Sequence, residues 1–537
     1  MRLDNSRVLS VLVLTGLVFF TGCAAAGPVM DGTPPSQPSE GPKRGGTLRF
    51  SGADPAHLDP ADTVGQALHS QGPGIAYGRL LRYAYRTNLP DLSAEVAPDL
   101  AERWEQVDPT TYVFHIRKGV KFHDVAPVNG RDVTVEDIVY SLNRQREPGR
   151  ASAGQLANVD DLRAGEGSTV RVTIKRADPD FLVELTDPRN QVVAREAVAL
   201  TGDLKNGPTI GSGPFILEKY EKGGGSSFVR NPKYYDGSLP RLDGFEIFTS
   251  LTDPAAELAA FRTGRIDVLD VSPQNMELVT KQHPQVKVQR NQRPTSQILS
   301  IKQDRPPFNN VKVRQAVSKA VDRQQVLDTA WGGLGWLHAG LNAGREFFLP
   351  EDEVKQRLKR DLPEAKKLLA EAGYPSGFAM EIIVGANAPE DLSAAELMVP
   401  QLKEAGINAT LQVVDYPRYL QQVATRGDFT SAGYGNYSSL PTTNATLIGL
   451  YTSGGQRNVN GIKDPKLDQM IAEQSVMQDR EQRKKAVHEI QRYLLDNAYL
   501  LVIHANINQT VLWPHANDWM GGLLSDGIRY AHVWSNK

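Results

Sequence analysis

The chain has 537 residues, which is too long for one hydrophobic core and predicts two or three domains. With 23% charged and 40% hydrophobic residues it has an ordinary globular composition, and a formal net charge of −2 gives no reason to expect nucleic acid or an acidic polymer as a partner. The single cysteine, Cys23, excludes an intramolecular disulfide and a cysteine-rich metal site.

The N-terminus has the pattern of a secretory signal. Arg2 and Arg7 precede an apolar stretch, residues 11–20, which is shorter than a membrane span and is followed by small residues around Cys23. Removal of residues 1–22 would place Cys23 at the new N-terminus. A signal-anchor helix with an incidental cysteine is the alternative. No later stretch of the sequence is long and apolar enough to span a bilayer, so the remainder is expected outside the cytoplasm.

A flexible tether is predicted over residues 23–44. Glycine and proline are frequent there and almost no side chain is available for a core. The folded body is therefore predicted to begin near Gly45.

The folded body opens with an alternating strand, residues 47–50, followed by a loop rich in turn residues. A loop directly after a first strand can present backbone amides to a ligand. Asp54 and Ala56 lie in this loop. As a plain turn, Asp54 and Asp59 would only cap backbone groups, and this capping role is the one expected for Asp59.

Residues 112–117 alternate with period two and predict a strand, which Lys118 and Gly119 turn so that residues 120–123 pair back. His115 and His123 then lie on adjacent strands without a third metal ligand, so both are expected to face solvent.

A helix is predicted to follow at residues 134–142, where Thr134 and Asp137 form a capping-box-like pair. Further along, Asp253 and Pro254 predict the start of another helix, which Gly264 ends. Strands before and after this second helix give the alternation of an α/β lobe.

A strand at residues 296–301, a Pro-Pro-Phe turn and a helix lie near the middle of the chain. Apolar residues recur at helical spacing over residues 313–321, and Asn309 and Asn310 can cap the start of this helix. Pro306 and Pro307 bar helix from the preceding segment. The combination predicts the beginning of a second lobe.

Helices and strands alternate again in the second half of the chain. Residues 361–414 predict helix, strand, helix and strand, and residues 466–495 predict one or two amphipathic helices. A strand at residues 428–432 precedes a predicted loop, Gly433 to Pro441. The last strand, residues 500–503, should lead back to the first lobe.

Taken in order, these stretches resemble the extracellular solute-binding proteins of ABC importers, family 5, the peptide and nickel group. The resemblance covers nearly all of the chain from Gly45 to Lys537. It also covers Cys23, which resembles a lipidated lipobox cysteine, although Phe20 stands where the family usually has leucine. The most similar stretches are Gly45–Arg49, Leu58–Pro60, residues 98–142, Ile210–Leu217 and Pro306–Arg323.

The resemblance implies an α/β, class II periplasmic-binding-protein-like fold with two α/β lobes and an additional inserted domain. Two segments, near Arg293–Ser300 and Ile503–Asn508, would cross between the lobes. The expected bounds are residues 45–76, 207–296 and 505–537 for lobe I, 77–206 for the inserted domain, and 297–504 for lobe II.

In peptide-binding members of the family, the loop that resembles Gly433–Pro441 carries an aspartate that holds the α-ammonium of the peptide. Asn436 stands at the matching position here. An amide lacks the charge-assisted bond of a carboxylate, so we expect a solute without an essential free ammonium at this point. The alternative is that the alignment slips and Asn436 only stabilises a turn. The resemblance implies these substrate-binding residues: Asp54, Ala56, Tyr434, Asn436, Tyr437, His504 and Asn506.

The expected function is that of a monomeric, lipid-anchored protein outside the cytoplasm. It would capture a peptide-like or other polar solute and deliver it to separate permease and ATPase subunits of an ABC importer, without a cofactor or a metal. The sequence lacks a Gly-x-Ser-x-Gly elbow, a His-Glu-x-x-His motif and a phosphate-binding Gly-x-x-x-x-Gly-Lys loop, so no enzyme is expected. Binding of an oligosaccharide or metal complex, a sensor role and a secreted hydrolase remain as alternatives.

Replacing Cys23 with alanine tests the anchor. Because lipid attachment requires the thiol, Cys23→Ala should release the protein from the membrane fraction or leave it unprocessed. The check is immunoblotting of membrane and soluble fractions. A variant that is processed and still membrane-bound would contradict lipid anchoring.

Overall fold

Two long strands that pair with each other run through the centre of the structure. The first crossing strand is Lys287–Ile301 and the second crossing strand is Leu501–Leu512, and the two are antiparallel. Both predicted crossing segments lie within these strands. The computed structural model describes residues 41–537 apart from 86–89, 252, 343, 387–388, 439, 441 and 520–525, so the predicted signal, Cys23 and most of the predicted tether lie outside the described residues.

The crossing strands belong to a central seven-stranded sheet. Val268–Asp270, the second crossing strand, the first crossing strand and Ala432–Ser438 lie side by side, and each neighbouring pair is antiparallel. Phe378–Ala386 pairs parallel with both of its neighbours. The short strand Gly335–Trp336 pairs with the second crossing strand. Apart from Gly335–Trp336, the strands follow across the sheet in the order Val268–Asp270, Leu501–Leu512, Lys287–Ile301, Ala432–Ser438, Phe378–Ala386 and Ile407–Asp415.

Lobe I contains a separate four-stranded sheet, with strands in the order Thr47–Ser51, Gly244–Phe248, Gly225–Arg230 and Phe215–Glu221. Aromatic rings fill its core, where Phe50 stacks on Phe245 and on Tyr530. Asp253 accepts hydrogen bonds from two backbone N–H groups, so the predicted cap of the following helix is confirmed. The helices of this lobe are Gln66–His69, Pro73–Ala76, Pro254–Arg262, Pro273–Gln282 and Gly527–Ala531, and Ala516–Asn517 pairs with Trp534–Ser535.

The inserted domain is built on an antiparallel sheet of four strands, Ala101–Asp108, Thr111–Ile116, Thr169–Ile174 and Val159–Ala164, in that order. Its longest helix, Val135–Gln145, begins where predicted, and the Asp137 carboxylate accepts the backbone N–H of Thr134 at 3.0 Å. The remaining elements are Leu81–Tyr83, Val96–Pro98, Ala153–Leu156, Phe181–Leu185 and Arg195–Thr201.

The prediction for His123 was wrong. Its side chain is only 1% exposed, and its Nε2 lies 3.1 Å from the carbonyl oxygen of Gly213. Lys121 forms a bridge to Asp132 rather than pairing back onto the preceding strand. The backbone N–H of His123 donates to the Gly211 carbonyl oxygen at 2.8 Å, so the residue packs against the return to lobe I. His115 remains partly exposed beside Glu105.

Lobe II places helices against the sheet around a large apolar core. The predicted helix at its beginning is confirmed as Val311–Ala320, and the Asn310 side chain caps it by accepting the N–H of Lys312 at 2.9 Å. The other helices are Arg323–Trp331, Arg345–Phe347, Glu351–Leu358, Leu362–Glu371, Pro389–Glu404, Tyr416–Tyr419, Leu420–Thr425, Thr443–Tyr451, Pro465–Gln474 and Arg480–Asp496.

Buried ion pairs connect the inserted domain to lobe I. Arg144 contacts Asp59 at 2.5 Å and Arg79 contacts Asp526 at 2.6 Å, with all four side chains almost fully buried. Asp59 also accepts two backbone N–H groups, as its predicted capping role requires. Burial raises the pKa of Asp59, but the Arg144 guanidinium and these N–H groups outweigh burial and hold this pKa below its usual value.

A third buried ion pair connects the inserted domain to lobe II. The Arg483 guanidinium contacts both carboxylate oxygens of Asp180, at 2.6 and 2.8 Å, and the two side chains are 3% and 7% exposed. Asp180 also accepts the backbone N–H of Asn444. Burial and the neighbouring Asp180 charge raise the pKa of Asp178. Arg483 therefore offsets the charges of both Asp180 and Asp178, and the contact between the inserted domain and lobe II depends on this one arginine.

Removing the arginine should destabilise the protein. Arg483→Met would leave the Asp180 charge buried without its partner, so the free energy of unfolding should fall by about 3–5 kcal/mol. Urea unfolding followed by circular dichroism measures this change. The matched control is Arg480→Gln, because Arg480 is 71% exposed and lies 3.8 Å from Glu346, and exposed pairs contribute about 0–1 kcal/mol. Equal losses in both variants would contradict the importance of the buried pair.

Candidate functional site

One face of the paired crossing strands is polar. Residues that lie opposite each other in an antiparallel pair point to the same face, and neighbours along a strand alternate between faces. Asn291 lies opposite Asn508, and Gln297 lies opposite His504. By alternation Asn506 shares their side. We call these five residues the polar face.

Buried atoms of the polar face lack hydrogen-bond partners among the described residues. These atoms are Gln297 Oε1, His504 Nε2, Asn506 Oδ1 and Asn508 Nδ2. Buried polar atoms in folded proteins are nearly always hydrogen-bonded, to protein or to ordered water. The polar face is therefore equipped to receive water or the polar groups of a solute.

The neighbouring strand of lobe II extends this face. Asn436 lies opposite Gln297, and its Oδ1 accepts a hydrogen bond from Gln297 Nε2 at 2.8 Å. The Trp331 ring meets the His504 ring edge to face, with centroids 5.0 Å apart. Gln297 and Trp331 were not among the residues expected from the sequence. For Gln297 a signal was present, because alternation along the predicted strand places it on the other face from its apolar neighbour Ile298.

The prediction of a loop at Gly433–Pro441 was wrong, because most of it forms the strand Ala432–Ser438. Gly435 faces the Tyr419 ring so closely that a Cβ there would lie 2.7 Å from it, and the glycine thus lets the strand pack into the core. Because glycines are unfavourable in strands, the local sequence does not favour a strand here, and tertiary packing accounts for it.

The strand separates the two predicted tyrosines. Tyr434 is fully buried in the lobe II core, and its hydroxyl has no hydrogen-bond partner among the described residues. Tyr437 lies opposite Ser296, on the other side of the sheet from Asn436, where the Arg457 guanidinium covers its ring at 4.7 Å. The two tyrosines therefore lie on different sides of the sheet, and their role in substrate binding stays a prediction.

A cavity of about 550 Å³ lies beside the polar face, between lobe I and the crossing strands. We call it the lobe I cavity. Its charged lining residues are Asp54, Glu257, Asp270, Arg293 and Arg529, and the others are Phe50, Ser51, Gly52, Ala53, Gln71, Thr249, Leu251, Val268, Asn291, Thr510, Trp519 and Tyr530. Asn291 belongs to both the cavity and the polar face, so the cavity adjoins the polar face at this residue.

The two candidate residues of the first loop differ in position. Asp54 lines the cavity, where one carboxylate oxygen accepts the N–H of Gly223 at 2.5 Å and the other is buried without a partner among the described residues. Ala56 is exposed and does not line the cavity. Asp270, another lining residue of this cavity, accepts a hydrogen bond from the Thr510 hydroxyl at 2.6 Å. The structure thus brings Asp54, but not Ala56, to the same site as the crossing strands.

The family model described as "Bacterial extracellular solute-binding proteins, family 5 Middle" matches residues 95–458. The chain belongs to this family. "Heme-binding protein A" of Haemophilus influenzae is 24% identical over 493 residues, covering 87% of this chain and 88% of that protein. "Periplasmic oligopeptide-binding protein OppA" of Salmonella typhimurium is 25% identical over 508 residues, covering 88% and 89%. The structure of HbpA2 from Haemophilus parasuis has a TM-score of 0.76 at 23% identity, covering 91% of this chain and 100% of that one.

These comparisons confirm the predicted α/β, class II periplasmic-binding-protein-like fold of this family 5 solute-binding protein. The family is extracellular by its description, in agreement with the predicted secretory signal. Both relatives are named as binding proteins rather than enzymes. Among the described residues, no three histidine, cysteine or acidic side chains are grouped to hold a metal ion. The same part of the chain has no helix with the length and apolar character of a membrane span.

Burial controls the protonation of two histidines at the crossing strands of this solute-binding protein. It lowers the pKa of His504 to about 4. It also lowers the pKa of His338 to about 3, and the nearby His504 adds to this shift. His338 Nε2 lies 2.7 Å from the Ser296 hydroxyl oxygen. Both rings are therefore neutral at physiological pH.

Acid should destabilise the protein partly through His504. In the unfolded chain the pKa of a histidine is about 6.5, so below that pH the unfolded state binds a proton that the folded state excludes until about pH 4. The melting temperature should therefore fall between pH 6.5 and pH 4, and His504→Asn should make this fall smaller. Calorimetry across this pH range measures the slope, with the partly exposed His115→Asn as control. A slope unchanged in His504→Asn would contradict the assignment.

Proposed function

We propose that this protein captures a small polar solute, a peptide or a related compound, between its lobes and delivers it to the permease and ATPase subunits of an ABC importer. The observation that carries the proposal is the polar face with its unpartnered buried atoms, together with a cavity of about 550 Å³ that Asn291 of this face lines. Binding sites for small molecules typically combine such a concave space with a few convergent polar groups.

The crossing strands are the proposed hinge. Their pairing is interrupted between Gln292 and Ser296 and again between Gln297 and Ile298. Bulges bend strands and disrupt the hydrogen-bond ladder locally, which allows a rotation to concentrate at these positions. A solute that contacts both lobes binds best when they are closed, so binding shifts the equilibrium towards closure. The permease would then recognise the closed form.

The proposed solute does not depend on a free ammonium at Asn436. This amide already accepts a hydrogen bond from Gln297, and it offers donors rather than a negative charge. The names of the two relatives, one for heme and one for oligopeptides, support a family that accommodates different solutes. Peptides with modified N-termini, oligosaccharides and other polar metabolites fit this site.

The proposed location and architecture follow the sequence. Cys23 would carry the lipid anchor, with residues 23–44 as the tether, so that the chain works on the outer side of the cell membrane as a monomer. Lobe I would consist of residues 45–76, 207–296 and 505–537, with the inserted domain at 77–206 and lobe II at 297–504. In this arrangement His504, Asn506 and Asn436 approach the solute from the crossing strand and lobe II.

Binding should raise the melting temperature, because a solute that binds only the folded state stabilises it by about 2.7 kcal/mol at a hundredfold excess over Kd. The probes are a mixed library of di- to pentapeptides and the same library after N-acetylation. The wild type should bind both libraries comparably in thermal-shift and calorimetric titrations, whereas Asn436→Asp should favour free amines, because a carboxylate pairs with an ammonium.

Asn436→Gln is the control for this experiment, because it retains the amide without adding charge. Tight binding of free-amine peptides alone by the wild type would contradict the ammonium-independent site. Failure of peptides, oligosaccharides and an extract of mixed metabolites to raise the melting temperature would contradict solute capture itself.

A further inference from the structure

Arg529 in the lobe I cavity has no carboxylate partner within ion-pair distance among the described residues. This side chain is 7% exposed and lines the cavity. Its Nη2 donates to the Tyr530 hydroxyl oxygen at 2.8 Å, while its Nε is buried without a hydrogen-bond partner among the described residues. Among the other buried arginines, Arg79, Arg144 and Arg483 contact a carboxylate directly. Arg314 and Arg323 instead donate to several backbone carbonyl oxygens. Arg529 has neither arrangement at its Nε.

Aromatic rings hold the Arg529 guanidinium in place. The group lies 4.8 Å from the centre of the Tyr530 ring and 5.5 Å from that of Trp519. Ring faces attract a cation, and their stacking fixes its plane. They supply neither a full negative charge nor a hydrogen-bond acceptor for the buried Nε. An anion that enters the cavity would supply that charge.

Thr249 is a second buried polar group of the cavity. Its side chain is 5% exposed, and its hydroxyl has no hydrogen-bond partner among the described residues. A hydroxyl can donate to an anion as well as accept from a donor. Two buried groups of lobe I thus line the same space with unused hydrogen-bonding capacity.

We propose that Arg529 binds a carboxylate of the solute, and that the transported compound is therefore a carboxylate-bearing molecule. The inference rests on the proposed function. A guanidinium and a carboxylate match each other in planar, two-bond geometry. Trp519 then lies beside the part of the solute that adjoins its carboxylate, since this ring lines the same cavity.

The other charges of the cavity favour a carboxylate over a phosphate. Asp54, Glu257 and Asp270 line the same space. Arg293 lies 3.5 Å from Asp270 and offsets part of this negative charge. Repulsion grows with the charge of the ligand, so a phosphate dianion is disfavoured relative to a carboxylate monoanion. The same acidic residues can accept a donor or cationic group elsewhere on the solute.

The test uses yeast extract and the same extract after methyl esterification, which neutralises carboxylates and leaves most phosphates charged. The full-length protein, freed of bound solute by partial unfolding and refolding, is incubated with each extract, washed, and its retained compounds are identified by mass spectrometry. We expect retention of carboxylate-bearing compounds from the untreated extract and a loss of retention after esterification.

Calorimetry with the retained compound then tests Arg529 itself. Arg529→Gln should bind it about tenfold to hundredfold more weakly, which is the effect of losing a charge-assisted hydrogen bond. Arg529→Lys keeps the charge without the planar fork and should recover part of the affinity. Arg262→Gln, on the exposed side of a lobe I helix, is the matched control and should bind like the wild type.

The outcomes separate the two proposals. Retention of nothing from either extract by the wild type contradicts solute capture, and the carboxylate inference fails with it. Equal retention from both extracts, or retention of phosphorylated compounds alone, overturns only the carboxylate inference. Unchanged affinity in Arg529→Gln also overturns it. If Arg529→Gln does not fold, as judged by circular dichroism, the Arg529→Lys variant and the esterified extract still decide.

Discussion

The pairing of the two crossing strands is the interaction on which the rest of the structure depends. These strands form one sheet with elements of both lobes, so the backbone hydrogen bonds that join the lobes are also those that position the polar face. On the opposite face of the pair Ala505 packs with Trp336 and Leu92. Because side chains alternate along a strand, one short segment supplies both an apolar contact and a polar surface. The interruptions of the pairing lie beside Gln297, so the proposed hinge and the proposed binding surface share residues.

The inserted domain is held by charge as well as by its own apolar core. Arg144 and Arg79 form buried ion pairs with lobe I, whereas Asp180 reaches Arg483 in lobe II. Arginine suits such positions because its planar fork makes two hydrogen bonds to one carboxylate and remains charged when buried. These contacts depend strongly on geometry, since a buried charge without its partner is costly. A rotation between the lobes must therefore keep the Asp180 contact or exchange it for water.

Local sequence signals predicted many of the elements correctly, because they act over a few residues. Asn310 begins the first helix of lobe II, and Asp253 caps the helix of lobe I, since in both cases the side chain accepts a backbone N–H within the next three residues. His123 shows where such reasoning fails. The lack of a third metal ligand predicted a solvent-facing ring, but the backbone and the ring of His123 contact Gly211 and Gly213, which are distant in sequence, and the ring is buried. Burial of a side chain depends on what packs over it, which lies elsewhere in the sequence.

By itself the sequence determined the family, the order of strands and helices within the lobes, and the candidates Asn436, His504 and Asn506, because these depend on local patterns and on resemblance along the chain. Only the tertiary structure decided that Asn436 shares a face with Gln297 while Tyr437 points away, since the glycine-rich segment becomes a strand when Tyr419 packs against it. It also decided that Arg529 lines a cavity with Asp54, residues far apart in sequence that become neighbours when the C-terminal segment returns to lobe I. The chemistry of a cleft depends on which distant residues meet, and no local pattern encodes that meeting.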